Sequence, residues 1–266
     1  MTNINWPCDF YDSKLSVIST NITTAIVNGQ LKGFLAGYRY GEKNNISQTQ
    51  MQTLDDGSSP PQGPTGARVV STSNNDSING TGAQKVRIVY LDGDWNLKSE
   101  TVQLNGTTPV SLNAQDIYHI EAFYVIQVGS NGAASGNITL QNPTGSQTFL
   151  TINAGFNQSF KAVAHVPKGY TMLINQFTVS SNGGYCKFYL CVYKNFEHIN
   201  GGNNILFVTD IIGVNSMNFT QNFFIPIIVT EKHSVKITAI ANKNGVSGFG
   251  GFWFYLQPKA VSEYFY

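Results

Sequence analysis

Charge is what this sequence has least of. Asp, Glu, Lys and Arg make up 12% of its 266 residues, about half the usual share. Arginine occurs only at Arg39, Arg68 and Arg87, and the net charge is +1. No basic stripe is therefore available to neutralise a phosphate backbone, and the expected partners include no nucleic acid. Long apolar runs are missing too: none approaches the ~18 residues of a membrane helix. The opening MTNINWPCDF lacks a positive segment followed by an apolar one, so the reading expects no secretory leader, no direct membrane insertion and synthesis in the cytosol. Eight Asn-x-Ser/Thr sequons, the first at Asn21, follow from an Asn- and Thr-rich composition and carry no weight without a leader.

Cysteine is scarce, with only Cys8, Cys186 and Cys191. The last two stand five apart in one apparent strand and point to opposite faces, so they cannot bridge each other; free, buried thiols are expected. The signatures of catalysis are also thin. His119, His165, His198 and His233 lie far apart without ligand spacing, and a lone strand histidine is more often hydrogen-bonded than metal-bound. Asp92-Gly93-Asp94 could offer oxygens to calcium, but it lacks the other acidic ligands of a calcium loop and reads as a hairpin turn. There is no nucleophile elbow, P-loop or dinucleotide fingerprint. The glycines Gly245, Gly248, Gly250 and Gly251 precede a strand, not the helix that would hold a phosphate. The expectation is no enzyme, no metal and no cofactor. Trp95 and Trp253 could stack on sugars, though burial in a core or interface is the commoner role for tryptophan.

What the sequence has is strands. Tyr118, Ile120, Ala122, Tyr124, Ile126 and Val128 alternate strictly, sending every second side chain to one face. The other parity carries His119, Glu121 and Gln127 and reads as partly wet. Residues 85–104 read as a β-hairpin turning at Leu91–Asn96. Further strands are predicted near 136–141, 148–154, 159–166, 172–180, 185–193, 205–212, 222–229, 234–241 and 251–257, with Gly, Asn or Pro between them. Pro226 inside FFIPIIV removes a ladder donor and marks an edge or bulge. The fold class is all-β, a single jelly-roll β-sandwich over residues 67–258. A break near Gly129–Gly136 leaves open two small stacked β-domains.

Residues 1–66 read as an N-terminal arm with a Pro-rich linker, and residues 259–266 as an aromatic C-terminal tail. The aromatic residues Trp6, Phe10, Tyr11, Phe34, Tyr38 and Tyr40 of the arm must be buried on the same domain or on a neighbour. Tyr264, Phe265 and Tyr266 of the tail read the same way. These nine are the candidate interface residues.

The stretch SNNDSINGTGAQKVRIVYLDGDWNLKSETVQLNGTTPV at 73–110 continues through DIYHIEAFYVIQVGSNGAASGNITL and the HVPKGYT turn. It resembles virion structural proteins of large double-stranded DNA viruses of algae and protists, and of some marine phages. The resemblance covers about the middle 110 residues and rests on turn and strand patterns. It implies a penton or minor capsid protein located in the virion and assembled in the host cytoplasm. Its implied partners are copies of itself, as a homopentamer or alternatively a trimer, and the major and minor capsid proteins. A five-fold ring needs heterologous, head-to-tail contacts. The alternative is a trimeric receptor-binding head-fibre or spike protein with a host glycan as ligand.

Overall fold

The computed structural model describes residues 25–26, 28–55, 59–61, 63–194 and 205–259, and among these it is an antiparallel all-β protein. Two strands come first, β1 (Leu35–Lys43) and β2 (Gln52–Thr53). Next are β3 (Arg68–Ser71), β4 (Ala83–Asp92), β5 (Leu97–Gln103), β6 (Val110–Ser111), β7 (Ile117–Val128), β8 (Ile138–Gln141) and β9 (Thr148–Ile152). The last group is β10 (Val163–His165), β11 (Tyr170–Asn182), β12 (Tyr185–Lys194), β13 (Ile205–Asn215), β14 (Asn218–Val229), β15 (His233–Ala241) and β16 (Ser247–Pro258). The hairpin expected over 85–104 is β4–β5, and the 117–128 strand is β7. β1 falls in the stretch read as an arm, yet it pairs with β16 along its whole length.

Where the sequence reading has one sandwich, the buried side chains form two large clusters. The larger lies between the sheets β1-β16-β11-β14 and β10-β15-β12-β13. It takes alternate residues from each strand: Phe252, Phe254 and Leu256 from β16, and Val235, Ile237, Ala239 and Ala241 from β15. Along β11 the inward series runs Met172, Ile174, Phe177, Val179. It skips one residue because Asn175 is the extra residue of a β-bulge opposite β16. The smaller cluster lies between β6-β3-β8-β9 and β5-β4-β7 and contains Val86, Ile88, Phe123 and Phe149. Gly129–Gly136 lies inside this smaller unit rather than between the two; the chain enters it through 55–67 and leaves through 153–161.

The exit and re-entry points meet. β2 and β10 both pair with the same side of β15, at Ala239 and Thr238 for β2 and at Lys236 to Ser234 for β10. Between them the Leu54 amide donates to the Ile237 carbonyl (3.1 Å), and the Ile237 amide donates to the Ala162 carbonyl (3.0 Å). The Ala162 amide in turn donates to the Leu54 carbonyl (2.9 Å). Residues 52–54 and 162–165 thus act as one edge strand in two pieces, with the whole smaller unit inserted at the join.

Gly41 of β1 packs on this join. A Cβ there would overlap the Leu54 carbonyl oxygen and sit 2.6 Å from the Ala162 nitrogen, both backbone atoms that cannot swing aside. Gly41→Ala is expected to cost on the order of 3 kcal/mol, the upper range of overpacking penalties. Gly63→Ala, where nothing lies within 4 Å, serves as the control. Urea denaturation checks this: equal midpoints for the two variants would refute close packing at the join.

Candidate functional site

The polar parity of β7, read from sequence as partly wet, is exposed at Gln127 but buried at its first half. His119 and Glu121 are both inside the protein, because the larger sandwich packs over them. Glu121 is the meeting point of three strands from the two units. Its Oε2 accepts from Nη2 of Arg39 on β1 at 3.1 Å and from the backbone amide of His165 on β10 at 3.2 Å. Its Oε1 faces Nδ1 of His165 at 2.5 Å. The His165 ring stacks on His119, with centroids 4.0 Å apart and planes within 10°. Trp95 meets His119 edge-on at 4.7 Å. Trp95 also holds a left-handed backbone (φ 68°), and its carbonyl accepts from the Lys168 amide of the larger sandwich at 2.9 Å.

Burial alone would raise the Glu121 pKa. The interaction with His165 and the Arg39 guanidinium outweigh it and hold the carboxyl at about 2. Burial pushes His165 below its ordinary value despite Glu121. At neutral pH the ring is therefore neutral and donates Nδ1–H to the carboxylate, which can only accept. The lasting counter-charge of Glu121 is Arg39. Beside the pair, a cleft of about 200 Å³ is lined by Tyr38, Tyr40, Tyr124, Gln158, Ser159 and Lys161.

Chemically the arrangement is a clamp. Both Glu121 oxygens accept from donors of the other unit, Arg39 and His165, so the carboxylate is engaged in holding the junction. Ser234 stands directly across from His165 in the β10–β15 ladder and is buried, but its hydroxyl makes no hydrogen bond to the ring. The nucleophile-to-base contact of a Ser–His–acid triad is thus not made. The Asp92–Asn96 segment is a turn whose carboxylate is used internally. Asp92 Oδ1 accepts from the Asp94 and Asn96 amides, both at 2.9 Å, and Oδ2 pairs with Lys98 at 2.8 Å. Burial would raise the Asp92 pKa, but Lys98 and Asn96 hold it at about 2. Among the described residues no cluster of His, Cys, Asp or Glu has the makings of a metal site. Cys186 and Cys191 are buried free thiols, and burial raises the pKa of both, to about 12 for Cys186.

The candidate interface residues divide three ways. Trp6, Phe10, Tyr11, Tyr264, Phe265 and Tyr266 lie outside the described residues. Phe34 is buried with Ala25 and Leu31 in a small cluster of its own chain. Tyr38 and Tyr40 sit on β1, Tyr38 being 37% exposed. The strand predicted near 222–229 is β14, the outermost of its sheet; Phe224 is fully exposed there and Ile225 and Ile228 are at least half exposed, yet none of them is among the candidate interface residues. From Ile211 to Thr230 no residue is charged, a signal that was open to inspection. Pro226 sits on this edge, as its position in the sequence predicts.

No protein-family model matches this sequence, and no curated protein matches it. Among solved structures, the infectious bursal disease virus VP2 subviral particle is 9% identical. That alignment covers 86% of this chain and 73% of the other, with a TM-score of 0.19. The structure of the Gx strain of the same virus is 8% identical over 84% of this chain and 71% of that one, also with a TM-score of 0.19. Likenesses this slight carry no argument about fold or function.

Proposed function

We propose that this chain is a non-enzymatic structural protein of a virion, a jelly roll with a second β-unit inserted in one edge strand. Its expected place is the five-fold vertex or a minor capsid position. The strand order supports the jelly-roll reading: the sheets β1-β16-β11-β14 and β10-β15-β12-β13 are what an eight-stranded double Greek key produces when β2 and β10 count as one strand. A fold of this kind hosts many functions. What turns the reading toward assembly is the edge strand β14.

An edge presents unpaired backbone groups, and proteins that stay apart guard such edges with lysine or other charges. Here Asn218–Val229 carries no charge and leaves Phe224 and Ile225 in solvent; they lie with Pro226 in the irregular stretch between Asn222 and Ile227 where the pairing with β11 shifts register. An apolar edge of this kind is a surface for a neighbouring copy. The double variant Phe224→Asp, Ile225→Asp removes no core contact, so its melting temperature should match the parent's. Light scattering is expected to give a pentamer for the parent and a smaller species for the variant. Equal masses would refute the role of β14, and a trimeric parent would favour the receptor-binding spike.

A further inference from the structure

The outer face of the sheet β1-β16-β11-β14 presents two rungs of directly opposed residues. One rung runs Tyr38, Trp253, Gln176, Asn222 across the four strands, and the next runs Tyr40, Gly251, Thr178, Thr220. Directly opposed residues of antiparallel strands share a face, so all of these point away from the core. None of them is charged. Trp253 is 45% and Tyr38 37% exposed, their ring centroids are 4.6 Å apart, and their planes lie within 30°. Tyr40 continues the series, 6.4 Å from Tyr38 and within 26° of its plane.

A Cβ on Gly251 would overlap the Tyr38 phenol end and the Arg39 carbonyl oxygen, so glycine at this position leaves room for the Tyr38 ring to lean across it beside Trp253. The other half of the face is hydrogen-bonding: Gln176 Nε2 donates to Asn222 Oδ1 at 2.8 Å, and the Thr178 and Thr220 hydroxyls are 3.2 Å apart. At the β1 edge, Tyr38 and Tyr40 also line the cleft that holds Gln158 and Ser159.

We propose that this face binds a neutral oligosaccharide of flat, β-1,4-linked pyranose rings. Such sugars have apolar C–H faces that stack on aromatic rings and equatorial hydroxyls that need amide and hydroxyl partners, and the two halves of the face supply each. Four strands span about 14 Å at ~4.8 Å per strand, the reach of a short oligosaccharide. A nucleic acid, which also stacks on rings, would require cations that the rungs lack. A second copy is placed elsewhere, on the β14 edge, so the inference does not rest on the assembly reading.

Isothermal titration calorimetry of the full chain with cellohexaose and with chitohexaose tests it. Saturable binding of at least one is expected, with Trp253→Ala weakening it about tenfold or more, as loss of a stacking platform does. Asn222→Ala, at an exposed edge position, should weaken it without touching the rings, and it keeps the test open should Trp253→Ala not fold. The Phe224→Asp, Ile225→Asp variant should bind as the parent does. Binding of neither sugar, or equal binding by parent, Trp253→Ala and Asn222→Ala, overturns the proposal. A change of oligomeric mass in Trp253→Ala without sugar binding overturns it in favour of a second copy.

Discussion

Replacing Asp76 by alanine is expected to cost on the order of 3–5 kcal/mol and to unfold the inserted unit first. Asp76 is fully buried, and its carboxylate is the hub of three loops. Oδ1 accepts from the amides of Ala83 and Ser135, both at 2.8 Å, while Oδ2 accepts from the Ser71 hydroxyl at 2.6 Å and the Gly136 amide at 2.9 Å. Its own carbonyl takes the Gly106 amide at 2.8 Å. Truncation would leave four donors without an acceptor, three of them buried and the Ser135 amide partly so; every buried orphan costs about 1–3 kcal/mol, less than additively. Glycine lets the loops close so tightly, since a Cβ on Gly82 would overlap Asp76 Oδ1. Asp76→Asn, which keeps the shape but turns an NH₂ toward amide donors, should lose a substantial part of the same stability. Hydrogen exchange resolved by segment checks the claim: protection should vanish over β3, β4 and β8 before β11 and β16. A melting temperature within ~1 °C of the parent would sink it.

Acid is expected to loosen the junction between the two units, and Glu121→Gln to remove part of that sensitivity. Two groups contribute with the same sign. His165 has a folded pKa below its ordinary value near 6.5, so the unfolded chain takes up the proton first. Its contribution is full above about pH 6.5 and declines as the pH falls. Glu121 is held at about 2 against an ordinary 4.5. Its contribution, on the order of 3 kcal/mol, is full above pH 4.5 and is lost between there and pH 2. The charged and titratable groups around the pair are Arg39 from β1, His119 from β7 and Lys161 just before β10. Glu121→Gln strands the Arg39 guanidinium beside a neutral amide, so the variant should be less stable than the parent at pH 7 by about 3 kcal/mol. The gap should narrow as the pH is lowered toward 3. Thermal melts of both proteins from pH 3 to 8 decide it; two parallel curves would mean that Glu121 does not carry the acid response.

Much of the fold is written where alternation is strict. β7 and the β4–β5 hairpin are legible because Ile, Val and Tyr recur every second residue and Asp-Gly marks the turn. β1 is not, because GYRYG places two glycines in a strand interior, where glycine ordinarily reads as a break. Their reason is tertiary: Gly37 lies under the Phe254 ring and Gly41 under the backbone join. The insertion is hidden for a similar reason, since the chain leaves and rejoins within one strand: the Pro-rich stretch at its entry reads as the end of an arm, and no change of composition marks its exit. His119 and Glu121 stand out as polar residues in an apolar strand, but whether that face meets water or another unit depends on what packs there. The aromatic pair Tyr38 and Trp253 is split by more than two hundred positions of chain, and only strand pairing brings it together.

The divided edge strand has an evolutionary consequence. Leu54 and Ala162 are a single hydrogen bond apart, so a segment grafted between them need only begin and end at one point in space, whatever its length or shape. The framework sandwich can then stay constant while the inserted module is lengthened, exchanged or deleted as a cassette. Lineages sharing this scaffold would be expected to differ most between these two residues.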